Sequence, residues 1–267
     1  MRKIHPTAQI DPGAELADDV EIGPYCIVSG AVKIGRGTIA MNNVSILGET
    51  TIGEENRIFP FSVIGGDPQD LKYKGGKTKL VIGNKNVFRE YVTINRGTEV
   101  AGGVTKVANN CYIMASCHIA HDCDVGDNVV LANTTLLGGH VTIEQDAIVS
   151  GYVGVHHFAT VGEKAFIGGV SRIQSDVPPF MLVQGVPARV RCVNTVGLKR
   201  KGITPDAVAA LKKAYKIVWR SGCSRQEACD MLEQTMGEFR EIKHLVESLR
   251  ASEKGKQGRA KEALRTW

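Results

Sequence analysis

Residues 111–143 read CYIMASCHIAHDCDVGDNVVLANTTLLGGHVTI. Ile113, Ile119, Val125, Leu131, Leu137 and Ile143 recur at every sixth position. Two places before each stands a small or slim residue: Cys111, Cys117, Cys123, Val129, Thr135 and Val141. A period of six is neither the helical repeat nor the two-residue alternation of a lone strand. It belongs to parallel β-helices built from hexapeptide units, in which a short strand points two alternate residues inward and a turn follows. With three units to a triangular coil, residues 18 apart stack about 4.8 Å from one another, like neighbouring strands. Within the same stretch lie His118, His121, Asp122 and His140, none of which falls on either inward column.

Toward the N-terminus the repeat continues through Ile4, Ile10, Leu16, Ile22, Val28, Ile34, Ala40, Ile46, Ile52, Ile58 and Ile64. It then meets GGDPQDLKYKGGKTKLV and resumes in phase at Ile82, Phe88, Ile94 and Val100. A second interruption, RGTEVAGGVTK, shifts the phase by one to Val107, from where the repeat runs on to Ile173. Loop excursions are therefore expected at about 66–80 and 97–106. The first carries Asp70, Lys72, Tyr73 and Lys74, and a long loop on a rigid scaffold is a usual place for function. The array is expected to stop at SDVPPF, because Pro178 and Pro179 cannot donate to a ladder.

Beyond the prolines the pattern becomes helical. Thr204-Pro205-Asp206 predicts an N-cap with proline in the first turn, and Gly222 a close, of a helix running to Arg220. Ser224 and Glu227 form a capping-box pattern that opens a second helix. A third is expected from about Phe239 to Arg250. The tail SEKGKQGRAKEALRTW is charged and is expected to fray at its end unless Trp267 docks. The chain thus reads as mainly β, a parallel β-helix over 1–190 followed by a small α-helical domain over 191–267.

Composition agrees with that reading. Hydrophobic residues make up 43% of the chain, aromatics only 6%, and there are 30 glycines. A narrow prism filled by Ile, Leu and Val has such a composition. No apolar run approaches the ~18 residues of a membrane span, and the start MRKIHPTAQIDPG lacks the apolar stretch of a signal peptide. A cytoplasmic protein with no membrane span is expected. The net charge of +5 is too diffuse for nucleic acid, yet suits an acidic partner or a nucleotide phosphate. Of seven cysteines, three occupy the inward column and read as reduced core residues.

Stacking by 18 places His121 under Gly139 and Gly139 under His157, all at one corner of the prism. His140 and His156 flank that corner, and His118 precedes it by one strand residue. Five histidines on one exposed edge point to chemistry. A zinc site needs three ligands and an open position. Hexapeptide zinc enzymes of the gamma carbonic anhydrase type place four residues between a histidine pair. Only two separate His118 from His121, so no metal is expected. Acyl transfer needs a base and donors for the developing oxyanion. His121 has the right chemistry for the base, Asp122 to orient it, and Gly139 to offer an N–H at close approach. With no serine or cysteine nucleophile evident at the edge, direct attack by the acceptor is expected. A scaffolding β-helix without chemistry is the remaining reading, and the intact base, glycine and loop argue against it.

The stretches QDLKY, INRGT, CHIAHDC, LLGGHVTI, DVPPF and GLKRKGI are similar to those of the UDP-N-acetylglucosamine acyltransferases that begin lipid A synthesis, and the resemblance covers essentially the whole chain. It implies a left-handed β-helix, a homotrimer and active sites between neighbouring chains. It also implies transfer of an R-3-hydroxyacyl group from acyl carrier protein, the co-substrate, to the 3-hydroxyl of UDP-GlcNAc, with no cofactor. By the same resemblance His121 is the general base, Asp122 its partner and Gly139 the oxyanion donor. Asp70 and Lys72 would bind the sugar, and His118, His140 and His156 would be further site histidines. Asn194 and Arg200 would hold the nucleotide, and Gly169 would limit acyl-chain length. Three positions depart from the family pattern: Asn95 replaces the histidine of I-H-R-G-T, His157 the glutamine of V-H-Q-F, and Val196 a common acidic contact. Asn95 and His157 lie where the sugar is expected, so acylation of the 3-amine of a UDP-diaminosugar is the alternative acceptor chemistry.

Overall fold

The computed structural model describes residues 2–264, so Trp267 lies outside the described residues. Two-residue strands follow one another at six-residue spacing and pair in parallel into three walls. The first wall includes Tyr112–Ile113, Val130–Leu131, Ile148–Val149 and Phe166–Ile167. The second includes His118–Ile119, Leu136–Leu137, Gly154–Val155 and Arg172–Ile173. The third includes Asp124–Val125, Thr142–Ile143 and Thr160–Val161. This is a left-handed parallel β-helix with a C-terminal helical domain.

Local chemistry explains the coil. Each strand sends one aliphatic residue inward: Ile113, Ile119, Val125, Leu131, Leu137 and Ile143 are all at most 1% exposed. The slim column behind them is buried too, and its thiols donate to turn carbonyls, as in Cys111 Sγ to Gly126 O at 3.1 Å and Cys123 Sγ to Gly138 O at 3.2 Å. At each corner one residue takes a left-handed backbone, with φ of 60° at Asp122, 64° at His140 and 65° at Phe158. A non-glycine residue there costs about 1 kcal/mol. Close-packed burial of the inward columns and the continuous ladder offset that cost.

Both excursions leave the second wall, after Val63–Gly66 and Thr93–Asn95, and enter the third at Lys79–Ile82 and Val104–Val107, so they stand at the corner between these walls. Ile82 pairs with Ile52, thirty positions away instead of eighteen, so the first excursion adds twelve residues and keeps the six-residue phase. Val107 pairs with Ile82, twenty-five positions away, so the second adds seven and shifts the phase by one. Val100, expected on the inward column, sits instead in a single 3-10 turn, Glu99–Ala101, at 44% exposure. The wall has already turned out into the loop there, so the six-residue spacing at Val100 is coincidental.

The prolines do not end the sheet. Val177 bridges Val161, Pro179 enters a corner that places Phe180 at φ 67°, and the strand Met181–Gly185 adds to the first wall beside Phe166–Ile167. Proline pre-sets the φ that the first corner residue needs, so here it builds the turn. Ala188–Val193 then folds back antiparallel and closes the prism, which carries the last strand through Val193. Among the described residues four α-helices follow: α1 (Thr195–Arg200), α2 (Pro205–Arg220), α3 (Arg225–Met236) and α4 (Arg240–Lys254). The Thr204 cap and the Ser224–Glu227 capping box form as expected, and Gly222 takes the left-handed φ of 82° just past α2. The short α1 was not anticipated. It is opened by Asn194, whose Oδ1 accepts from Gly197 N at 3.2 Å.

Beyond α4 the chain returns to the β-helix. Asp176 N donates to Gly258 O, and Ala260 N donates to Asp176 Oδ2, both at 2.8 Å. Arg259 donates to Gln174 O and pairs with Glu262, the two side chains being 4% and 8% exposed. This pins the tail along the third wall, where Lys261 Nζ donates to Thr142 Oγ1.

Candidate active site

The corner between the second and third walls carries two stacked columns. His121, Gly139 and His157 form one, and Asp122, His140 and Phe158 form the other, because each turn supplies one residue to each. His140 N donates to His121 O and Phe158 N donates to Gly139 O, both at 3.0 Å, which locks the columns in register.

His121 Nδ1 lies 2.8 Å from Asp122 Oδ2. A carboxylate only accepts, so Nδ1 carries the proton and the lone pair of Nε2 is left for chemistry. Asp122 is itself held: Oδ1 accepts from Thr98 N at 2.9 Å, Oδ2 from Thr98 Oγ1 at 2.6 Å, and its own N–H donates to Thr105 Oγ1 at 2.8 Å. Thr98 comes from the second excursion and Thr105 from the strand Val104–Val107 that follows it, so the loop and the wall it rejoins together hold the carboxylate that orients the imidazole. Gly139 packs onto the imidazole so tightly that an added Cβ would lie 2.5 Å from Cε1. None of the described groups accepts from the Gly139 N–H. This corner therefore presents a bare nitrogen and a free amide donor side by side.

The remaining histidines gather around the pair. The His140 ring meets His121 edge-on at 5.1 Å and stacks on Phe158 at 4.3 Å. His156 and His157 lie 3.8 Å apart, and His118 Nδ1 is 2.7 Å from Thr93 Oγ1. The edge is less open than the sequence suggested, with the His121 and His140 side chains only 11% and 13% exposed. The second excursion and the C-terminal tail cover it, and neither carries the repeat that marks the walls.

A groove of about 460 Å³ runs from His118 and His121 along the outer face of the second wall, past Leu136 and Gly154. From the first loop only Gln69 reaches it. The Asp70 carboxylate turns into its own loop, where Oδ1 accepts from Lys72 N at 2.9 Å while the Asp70 backbone carbonyl accepts from Tyr73 N at 3.0 Å, and Lys72 is exposed. The loop's base is clamped by Arg96, which donates to Gly65 O and Asp67. Asn95, 5% exposed, donates from Nδ2 to Asp67 O at 2.8 Å, and its Oδ1 has no partner among the described residues. Asn194 and Arg200 meet in a separate cavity of about 400 Å³ beside the first wall, with Asp146 and Lys164. Gly169 sits at the corner between the first and second walls, where an added Cβ would lie 3.4 Å from Gly151 O. Within one chain these last three residues are not brought to His121. Sequence reasoning missed Thr98 and Lys261, which carry no periodic signal and reach the corner only through the excursion and the returning tail, and Thr105, which falls on the slim inward column two places before Val107 and so reads as core.

His121, Asp122 and His140 offer three atoms within 4.8 Å of one another, a spacing a metal ion could bridge. Both Asp122 oxygens, however, already accept hydrogen bonds, one of them from His121, so the donor set fits an oriented base better than a metal site. The core thiols are poor nucleophiles, since burial pushes Cys111 and Cys117 up to about 11 and Cys123 to about 12.

Burial, with smaller contributions from the charges of His121, Lys261 and His157, lowers His140 to about 4, although Asp122 opposes the shift. The folded state thus resists protonation of a ring that the unfolded chain protonates near its ordinary 6.5. Stability from this group is complete above about 6.5 and is lost as pH falls toward 4. His118, also lowered by burial, acts in the same direction, whereas His244, raised by Glu144, acts in the opposite one. The melting midpoint is expected to fall from about pH 7 to about pH 5. His140→Asn, which tolerates the left-handed corner, should reduce that fall, as read by melting curves at both pH values. An unchanged difference would place the pH sensitivity elsewhere.

The family comparison agrees with this geometry. A curated relative from Thermodesulfovibrio yellowstonii, an acyl-[acyl-carrier-protein]--UDP-N-acetylglucosamine O-acyltransferase, is 46% identical over 96% of this chain and 99% of its own length. The chain belongs to the UDP-N-acetylglucosamine O-acyltransferase family. A namesake from Syntrophobacter fumaroxidans is 47% identical over 95% of this chain and 98% of its own. The structure of LpxA from Acinetobacter baumannii superposes with a TM-score of 0.90 at 41% identity, over 92% of this chain and 96% of that one. Two family models match: the bacterial transferase hexapeptide repeat over residues 104–139, and domain 2 of the UDP-N-acetylglucosamine O-acyltransferases over 176–256. The tail that bears Lys261 lies past the end of the second match. Among the described residues no helix of this acyltransferase-family chain is long and apolar enough to cross a membrane.

Proposed function

We propose that this protein transfers an R-3-hydroxyacyl chain from acyl carrier protein to the 3-hydroxyl of UDP-GlcNAc in the cytoplasm, without a cofactor. The observation that carries the reading is the His121 imidazole, fixed through Nδ1 by Asp122, with Nε2 beside the Gly139 amide at the head of an apolar-walled groove. The acceptor hydroxyl gives its proton to Nε2 as its oxygen attacks the thioester carbonyl. The oxyanion forms against the Gly139 N–H, and collapse expels the carrier thiolate, which takes the proton from His121. Each group is already placed before reaction, so little reorganisation is needed. An acidic carrier suits the basic run Lys199, Arg200 and Lys201 on and just after α1. Incubating the protein with hydroxyacyl carrier protein and UDP-GlcNAc, in buffer containing a chelator, and weighing the products tests this. No product, or product only without chelator, would refute the reading.

One observation favours keeping a second acceptor in the same assay. The buried, unpartnered Oδ1 of Asn95 is a spare acceptor beside the first loop, and a 3-amine brings donors to it. Efficient transfer to UDP-GlcNAc with none to the UDP-diaminosugar rejects that variant.

The active assembly we propose is a trimer. Gly169, Asn194 and Arg200 serve the His121 groove only if a neighbouring chain presents them, and Leu71 projects fully exposed from the tip of the first loop. Sedimentation at micromolar concentration should give about three times the 28.8 kDa chain mass, and an active monomer would contradict shared sites.

A further inference from the structure

The outer face of the second wall holds a column in strict register: His118 opposite Leu136, Leu136 opposite Gly154, Gly154 opposite Arg172. It forms the floor of the groove that begins at His121. Leu136 is 49% exposed and supplies apolar surface, while a Cβ added at Gly154 would meet nothing within 4 Å. The floor is thus slim and apolar for two strands and then ends in an arginine. Arg172, with His156 and Ile173, lines both this groove and a second cavity of about 460 Å³ beyond it, so its side chain stands between the two. The farther cavity is walled by polar residues such as Gln174, Asp176 and Arg189.

We propose that Arg172 sets the length of the acyl chain, closing the far end of the groove with its side chain. The inference rests on the acyl-transfer reading of His121. Three strand spacings of about 4.8 Å separate the His118 level from the Arg172 level, roughly 14 Å. An extended chain of single bonds advances roughly 1.2 Å per bond, so the groove holds a donor of about twelve carbons before it meets the guanidinium. A longer chain would have to displace a charged head and enter polar surroundings, where added methylenes gain little burial. Gly169 lies at the corner just before the Arg172 strand, so the level at which the family resemblance expects the chain to be measured is the level of Arg172.

The test uses the full-length protein, UDP-GlcNAc and a ladder of hydroxyacyl carrier proteins rising by two carbons. Arg172→Ala opens the partition and should move the preferred donor longer by at least two carbons. Gly154→Leu, one strand nearer the base, fills the floor and should move it shorter by about four, one spacing's worth of bonds. Both positions are exposed, and circular dichroism checks that the variants fold. An unchanged optimum in Arg172→Ala overturns the role of Arg172 even if Gly154→Leu shortens the donor. Failure of the unaltered protein to use any donor overturns the acyl-transfer reading itself, so the two failures are distinguishable.

Discussion

His121→Ala is expected to lower turnover by about three orders of magnitude, within the usual range for loss of a positioned general base. The imidazole turns the lone pair of Nε2 to the groove while its other nitrogen is engaged by a carboxylate at 2.8 Å. His140 is held toward the neutral form but is stacked on Phe158, and its Nε2 is 3.9 Å from Asp122 Oδ2. His118 has a hydroxyl, Thr93 Oγ1, on Nδ1 where His121 has a carboxylate, so it lacks the negative charge that would support protonation of its other nitrogen. The fold should survive, because the inward columns here are Cys117, Ile119 and Cys123, and His121 belongs to neither. Initial rates over a range of acceptor concentrations, with a melting curve for each protein, provide the measurement. The Michaelis constant should change little, since the base acts on the reacting proton. A folded variant retaining a tenth of normal turnover would remove His121 from the role.

Gly139→Ala should cost about 10²- to 10³-fold, comparable to losing an oxyanion donor. The reason is space. Gly139 does not use the left-handed region, so alanine suits its backbone, but the new Cβ would lie 2.5 Å from His121 Cε1 and 2.7 Å from Nε2. The ring cannot swing aside freely, because Asp122 holds it and two threonines hold Asp122. Either the imidazole leaves its partner or the corner moves, taking the amide donor with it. Both outcomes separate the base from the N–H. Turnover should therefore fall sharply with little loss of thermal stability. Normal turnover in Gly139→Ala would mean that the ring relaxes without consequence and that the amide is not the donor.

The walls were legible in the sequence because the forces that set them are local. A strand residue points in or out according to its place in a short unit, and a six-residue recurrence of Ile, Leu and Val reports that alternation directly. Stacking follows from the period, so His121, Gly139 and His157 could be placed on one corner before any coordinates. The same logic failed at Val100, where a hydrophobic residue fell on the count but had left the wall. It also failed at Pro178 and Pro179, because a residue that cannot donate to a ladder can still build the corner between two strands.

By itself, then, the sequence determined the coil, its inward columns, the two excursions and the corner that carries the proposed base, His121. Only the tertiary structure decided how that base is held and how far the site is covered. Thr98 grips the Asp122 carboxylate across a loop whose length follows no period. Lys261 reaches Thr142 from more than a hundred residues away, and the buried Arg259–Glu262 pair that anchors it looks, in sequence, like part of a solvated tail. Arg172 was one outward residue among many until strand register set it at the end of the groove. The physical reason is common to all of these. A repeat specifies contacts between residues whose neighbours are implied by the period. Contacts made by excursions and returning tails depend on where rigid bodies dock, and no local pattern encodes that.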